Sequence, residues 1–244
     1  MTENKLSFID NNVSWNNSSI KDIDYPVEWK SFFEDEKTID ILKKVSTDID
    51  EFVKDKKVIY PEPSRVFYTF HLPLNKIRVV LLGQDPYHDG NAVGLAFSVK
   101  SGTRINPSLK NIYTELIRSG FNPTQNGDIS HWLKQGVLML NTALTVIAGQ
   151  PESHLHIWKD FISLVLSEIS SKTNNVCWSL MGAKAIAFES YVNRSRGHVS
   201  FCTSHPSPFS ALKPFRNIPA FIGSGVFKKI NDYLHKNNFK KINW

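Results

Sequence analysis

The chain has 244 residues, of which 41% are hydrophobic and 21% charged, and this composition is typical of a globular protein with a sizeable core. Its formal net charge of +6 favours polyanionic partners, although a basic protein without such a partner is equally consistent with the charge alone. The polar N-terminus and the absence of a long apolar run predict a soluble intracellular protein that is neither secreted nor membrane-bound. Cys177 and Cys202 lie in apolar runs, which favours buried free thiols over a disulfide or a metal pair.

The first 24 residues differ from the rest of the chain. Residues 1–24 are rich in Asn, Ser and charged side chains, which predicts a flexible extension with at most a docking turn at Trp15. We expect a single domain over residues 25–244. Its first long helix should end near Lys56, because apolar residues recur at helical spacing: Ile39, Leu42, Val45, Ile49, Phe52 and Val53.

Four apolar segments typical of buried strands follow: residues 79–82, 137–140, 176–180 and 199–203. Helical patterns alternate with them. Ser108 is predicted to cap a helix with an apolar stripe of Leu109, Ile112, Tyr113, Leu116 and Ile117, and further helices are expected at residues 156–170, 186–192 and 225–236. This alternation predicts an α/β fold with a central four-stranded, mostly parallel sheet flanked by helices on both faces.

A polar residue or a glycine follows each predicted strand: Asp85, Asn141, Gly182 and His205. Ligands of parallel sheets bind beyond the carboxyl ends of the strands, so we expect these residues to form one site. Pro86 restricts the backbone of Asp85, which holds the carboxylate stiffly. The simpler alternative is a set of ordinary turns, with a turn-forming Asp85 and a structural histidine at 205.

Two segments carry a resemblance to a known family: Gly83-Gln84-Asp85-Pro86-Tyr87-His88 and His205-Pro206-Ser207-Pro208-Phe209-Ser210. They closely resemble the signature motifs of family 1 uracil-DNA glycosylases. The resemblance continues in Gly94-Leu95-Ala96-Phe97 and in residues 135–142 and 144–150, and it covers the chain from about residue 26 to the end. It implies a monofunctional enzyme that hydrolyses the bond between uracil and deoxyribose in DNA, initiating base excision repair without a metal or a cofactor.

The resemblance also implies roles for individual residues. Asp85 would stabilise the positive charge that develops on the sugar and position the attacking water. His205 would donate a hydrogen bond, as a neutral ring, to the uracil oxygen that becomes negative. Asn141 would read uracil through an amide that accepts from N3–H and donates to O4, the reverse of what cytosine presents.

Further residues would line the pocket or contact the DNA backbone. Tyr87 would exclude the thymine methyl group, the Phe97 ring would stack on uracil unless it is only a core aromatic, and the backbone of Gln84 would line the pocket. Phosphate contacts map to Pro107, Ser108, Gly182, Ser207 and Ser210. Phe209 stands where the family often has a leucine wedge, and apolar wedges of several kinds unstack bases.

The expected partner is uracil-containing DNA, single- or double-stranded, bound by a monomer that does not associate with membranes. A replication protein could bind through the N-terminal extension or through residues 212–224. Two alternatives are a DNA-binding replication accessory with little activity and a glycosidase with paired carboxylates. The intact Asp85, Asn141 and His205 argue against the accessory, and the matching motifs supply no second carboxylate for the glycosidase.

Overall fold

A four-stranded sheet forms the centre of the protein. The structure, a computed structural model, describes residues 15–124 and 126–244. The sheet strands are β2 (Val79–Gly83), β3 (Val137–Asn141), β5 (Cys177–Met181) and β6 (Val199–Thr203), in the spatial order β3-β2-β5-β6. All three neighbouring pairs are parallel, which confirms the predicted sheet. The two central strands are buried along their whole length, as expected for apolar runs without alternation.

Helices cover the sheet. They are α1 (Lys30–Phe33), α2 (Glu36–Lys54), α3 (Pro107–Arg118), α4 (Leu155–Lys172), α5 (Ala183–Ile186) and α6 (Val226–Lys236). The predicted long helices over residues 39–56, 108–117, 156–170 and 225–236 are therefore confirmed to within a few residues. Between the longer elements lie short 3-10 helices at Trp15–Asn17, Ile20–Asp22, Val27–Trp29, Pro63–Arg65, Tyr68–His71, Leu74–Lys76, Ser130–Gln135, Glu189–Tyr191 and Arg194–Arg196.

A second, two-stranded sheet was not predicted. Strand β1 (Ile59–Tyr60) pairs antiparallel with β4 (Val146–Ile147). Each strand has only two residues, which is too short for an alternating pattern to appear in the sequence. This small sheet fixes the segment that leads from β3 into α4.

Three helix predictions were wrong in detail. Helix α3 begins at Pro107 with Asn106 as its N-cap residue, so Ser108 lies inside the first turn and does not cap it. Proline is favoured at the first helical position because its φ angle is already helical and it has no N–H to leave unpaired. Ile117 is 51% exposed and lies outside the buried stripe. The helix expected at residues 186–192 ends at Ile186, where the chain turns and packs Phe188 and Tyr191 against the core.

The described part of the predicted extension is packed rather than free. Trp15 and Ile20 are buried, and the indole Nε1–H of Trp15 donates to Pro61 O at 2.9 Å. Ser19 Oγ donates to Asp50 Oδ2 on α2 at 2.8 Å. The docking of Trp15 agrees with the predicted turn at this residue, whereas the burial of Ile20 and the contact of Ser19 with α2 were not predicted. Residues 1–14 lie outside the described residues.

Both cysteines are free thiols, as predicted. Cys177 is buried and Cys202 is half-buried, so full burial was wrong for Cys202, which lies on the edge strand β6. Burial raises the pKa of the Cys202 thiol to about 11. None of the helices in the described ranges combines the length and the apolar character that a bilayer crossing requires.

Candidate active site

The carboxyl ends of the four parallel strands lie side by side. Gly83 at the end of β2 pairs in register with Asn141 at the end of β3, and Met181 of β5 pairs with Thr203 of β6. The residues that follow each strand therefore emerge at the same edge of the sheet. Asp85, Asn141, Gly182 and His205 all come from this edge.

Hydrogen bonds join the ends of β2 and β3. The Thr142 hydroxyl donates to Gln84 O at 2.6 Å, and the Ala143 backbone N–H donates to the same oxygen at 3.1 Å. Gln84 thus contributes its carbonyl group to the wall between the two strands. These hydrogen bonds fix the position of the segment that carries Asn141 relative to the turn that carries Asp85.

Gly83 allows the side chains around it to approach closely. A Cβ atom at this position would lie 2.5 Å from Asn141 Oδ1 and 3.3 Å from Cε2 of the Phe97 ring. Any side chain there would displace the amide or the ring. The absence of a side chain at Gly83 therefore leaves room for both the Asn141 amide and the Phe97 ring close to the backbone at the end of β2.

The Asp85 carboxylate is half-buried and accepts two hydrogen bonds. Oδ1 accepts from Gln84 Nε2 at 3.2 Å, and Oδ2 accepts from the backbone N–H of Glu152 at 2.6 Å. Burial raises the pKa of the Asp85 carboxyl group, and these two hydrogen bonds oppose the rise by stabilising the ionised form. Glu152 was missed in the sequence, because a backbone N–H donor leaves no signature in the residue type.

The His205 ring has a defined proton position. The Ser207 backbone N–H donates to His205 Nδ1 at 3.1 Å, so Nδ1 is an acceptor and the neutral ring carries its proton on Nε2. Burial lowers the pKa of His205 to about 4. At neutral pH the ring is therefore an uncharged donor through Nε2.

Gly182 forms the wall behind this histidine. Its φ angle is +92°, and a Cβ atom here would lie 2.8 Å from His205 Cβ. Both the backbone conformation and the close approach require glycine. The Phe97 ring completes this side of the site, with its centroid 6.0 Å from that of the His205 ring.

Tyr87 and Phe97 are linked to each other. The Tyr87 hydroxyl donates to Phe97 O at 3.2 Å. Phe97 is 8% exposed and has a φ angle of +66°, a left-handed conformation that is costly for an aromatic residue. Such strain is maintained only where surrounding contacts fix it, and here Gly83 and His205 lie beside the ring while Tyr87 binds the Phe97 carbonyl oxygen.

The segment that follows His205 is tied to α3. Ser210 Oγ donates to His205 O at 3.0 Å and lies 2.9 Å from Ser207 Oγ. Asn111 Nδ2, one turn into α3, donates to Pro206 O at 2.8 Å. The start of α3, with an exposed Pro107 and a half-buried Ser108, is thereby brought near the serine-rich segment.

Phe209 projects from this segment and is 86% exposed, which is unusual for a phenylalanine. Asn111 was not predicted as part of the site, because an asparagine on a helix gives no sign of which distant carbonyl it will meet. No group of three or more His, Cys, Asp or Glu side chains in the described ranges is arranged to hold a metal ion.

The chain is similar in sequence and in fold to known proteins. Residues 70–234 match the model of the Uracil DNA glycosylase superfamily. A uracil-DNA glycosylase of Aeromonas hydrophila is 41% identical over 221 residues, which are 88% of this chain and 96% of the relative. One of Borrelia duttonii is also 41% identical, with the same coverage. The crystal structure of mimivirus uracil-DNA glycosylase matches with a TM-score of 0.87 at 27% identity, over 95% of this chain and 93% of that chain. The chain belongs to the uracil-DNA glycosylase superfamily.

Proposed function

We propose that this chain is a family 1 uracil-DNA glycosylase, which releases uracil from single- and double-stranded DNA and leaves an abasic site for base excision repair. The observation that carries the proposal is the neutral His205, whose Nδ1 accepts from Ser207 and whose Nε2–H is free to donate, on the same sheet edge as the Asp85 carboxylate. The motifs at residues 83–88 and 205–210 support assignment to family 1 within the superfamily.

Asp85 is proposed to act on the sugar. As the bond between C1′ and N1 breaks, its electron pair leaves with uracil and positive charge develops on the deoxyribose. A carboxylate beside the ring stabilises that charge and positions a water molecule. The water adds a hydroxyl group to C1′, and its remaining proton completes the neutral uracil. The hydrogen bonds from Gln84 and Glu152 hold the carboxylate while this happens.

His205 is proposed to act on the leaving base. Negative charge develops on a uracil oxygen, and the Nε2–H group would donate to it. A neutral donor suits a buried site, because an imidazolium there would require desolvation of a full charge. The hydrogen bond from Ser207 keeps the donor on the correct nitrogen.

Three side chains are proposed to select uracil. The Asn141 amide would accept from N3–H and donate to O4, whereas cytosine leaves these groups unpaired at about 1–3 kcal/mol each. Tyr87, fixed by its hydrogen bond to Phe97 O, would contact C5 of the base and exclude a methyl group. The Phe97 ring would stack on the base.

The DNA backbone is proposed to run along the serine-rich segment and the start of α3. Pro107, Ser108, Gly182, Ser207 and Ser210 would contact phosphates there. Phe209 would enter the base stack as the nucleotide leaves it, and its exposure suits this role. The base must leave the stack because a base inside a duplex is out of reach of the site.

The remaining proposals concern the whole molecule. We propose that one domain, residues 25–244, acts as an intracellular monomer that needs no metal or cofactor. The segment 212–224 carries an exposed Leu212 and a partly exposed Phe215, which supports a docking site for a replication protein. A pull-down with replication proteins, compared between the wild type and a Leu212→Ser variant, tests this partner.

The deciding experiment is a base-release assay in EDTA on matched oligonucleotides that contain uracil, thymine or cytosine. We expect free base from the uracil substrate alone, in both single-stranded and duplex form. DNA binding without release from either form would refute the enzyme and favour the accessory protein. Release of thymine or cytosine at a similar rate would refute the proposed base selection.

A further inference from the structure

An ion pair at the active site has no role in the proposed function. Lys184 Nζ lies 2.8 Å from Glu152 Oε2, and the two side chains are 48% and 47% exposed. Lys184 belongs to α5, directly after β5, whereas Glu152 precedes α4. The pair therefore joins two segments that are far apart in the sequence.

Glu152 is held on the Asp85 side of the site. Its backbone N–H donates to Asp85 Oδ2 at 2.6 Å, and its φ angle is +68°, a left-handed conformation that few residues other than glycine adopt. The neighbouring Gly149 N–H donates to His88 O at 3.0 Å, which ties the same segment to the Asp85 turn. These contacts fix the backbone of Glu152, so its side chain is anchored beside Asp85.

Lys184 is held on the His205 side. It lies two residues after Gly182, whose backbone packs against the His205 side chain. The Gly182 N–H donates to Thr203 O at 2.9 Å, which ties this turn to the strand that leads to His205. The ion pair consequently connects the wall that carries Asp85 with the wall that carries His205.

We propose that Lys184 binds a phosphate of the DNA strand entering this site, and that the Glu152 carboxylate occupies Lys184 until the phosphate replaces it. This inference rests on the proposed function, since it requires DNA to enter between the two walls. Glu152 is then an internal competitor for the same cation. A lysine ammonium is a compact charge with three rotatable donors, so it can exchange one oxygen acceptor for another.

The energetics favour such an exchange. An ion pair exposed to this degree contributes little, because water screens both partners and two long side chains must be ordered. A phosphate on a polyanion brings, in addition, the release of counterions from the DNA. The carboxylate therefore holds Lys184 weakly enough for DNA to displace it.

The test uses Lys184→Met, Glu152→Gln and the double variant, with kcat/KM for uracil release from a single-stranded oligonucleotide measured over a range of salt concentrations. Glu152→Gln preserves the backbone N–H that donates to Asp85.

We expect Lys184→Met to raise KM several-fold with little change in kcat, and to reduce the slope of log(kcat/KM) against log salt by about 0.7. Glu152→Gln should raise kcat/KM about two- to fivefold. The double variant should match Lys184→Met, because Glu152 acts only through Lys184, and Lys184→Arg should retain the wild-type slope.

A matched control removes the exposed pair between Lys43 and Asp40 on α2, which are 3.1 Å apart. Lys43→Met and Asp40→Asn should change neither the rate nor the salt slope. Equal losses of kcat in Lys184→Met and Glu152→Gln with an unchanged slope would overturn the proposal, because the pair would then only support the Asp85 turn. Equilibrium DNA binding by the same variants gives the slope independently. If the wild type released no uracil, the proposed function would fail, while the binding slope would still decide the role of Lys184.

Discussion

The neutral state of His205 leads to a prediction about stability as well as catalysis. The perturbation is His205→Asn, whose side-chain oxygen can still accept from the Ser207 N–H but which cannot take up a proton. Burial lowers the pKa of His205 from its ordinary value of 6.5 to about 4. This difference corresponds to about 3 kcal/mol against the protonated ring in the folded protein.

The direction in which stability changes with pH follows from proton binding. Because the folded pKa lies below the unfolded one, the unfolded chain takes up the proton first as the pH falls through 6.5. The wild type therefore loses stability on acidification, by about 2 kcal/mol between pH 7 and pH 5, and the loss is complete only below pH 4. The variant lacks this contribution. His131, His154 and His198, whose pKa values are also lowered, are present in both proteins and cancel in the comparison.

The assay is urea unfolding of both proteins at the two pH values. We expect the free energy of unfolding of the wild type to fall about 2 kcal/mol further than that of the variant. A direct NMR titration of the His205 ring should give a midpoint near 4. Equal pH dependence of the two proteins, or a midpoint close to 6.5, would refute the neutral-donor argument.

Four further substitutions test the site. Asp85→Asn should lower kcat for uracil release by about 10²-fold or more while DNA affinity measured by fluorescence anisotropy stays near that of the wild type; an unchanged kcat would remove Asp85 from its role. Since the pKa of Asp85 is raised, the wild-type rate should also fall with acidification as the carboxylate is protonated, and Asp85→Asn should lack this contribution to the acid limb of the pH–rate profile. Asn141→Asp should begin to release cytosine, because a protonatable carboxyl group can match the edge of that base, and the three-substrate assay would detect it. Gly182→Ala should destabilise the fold by about 1–3 kcal/mol in urea unfolding and reduce activity, since its φ angle is +92° and the new Cβ would lie 2.8 Å from that of His205. Phe209→Ala should reduce release from duplex DNA more than from single strands, because only the duplex must be unstacked; equal losses would argue against a wedge.

Much of the fold could be predicted from the chain alone. The four strands, the amphipathic period of α2 and the parallel direction of the strands follow from apolar runs and from the alternation of strands with helices, whereas the spatial order β3-β2-β5-β6 was not predicted. The errors in the helix bounds arose where one local sequence preference competed with another, or where packing overrode both. Pro107 began α3 in place of the predicted Ser108 cap, and the turn after Ile186 ended a predicted helix. Ile20 is buried and Ser19 bonds to α2 although their surroundings have the composition of a flexible segment.

By itself, the sequence determined which chemical groups reach the edge of the sheet, because a parallel strand delivers whatever residue follows it. Asp85, Asn141 and His205 could therefore be proposed as one site before any coordinates. Only the tertiary structure decided how these groups are tuned: the Glu152 N–H on the Asp85 carboxylate, the Ser207 N–H that assigns the His205 proton, and the burial that keeps the ring neutral. Backbone donors and burial are properties of the folded chain, and no side-chain pattern encodes them locally.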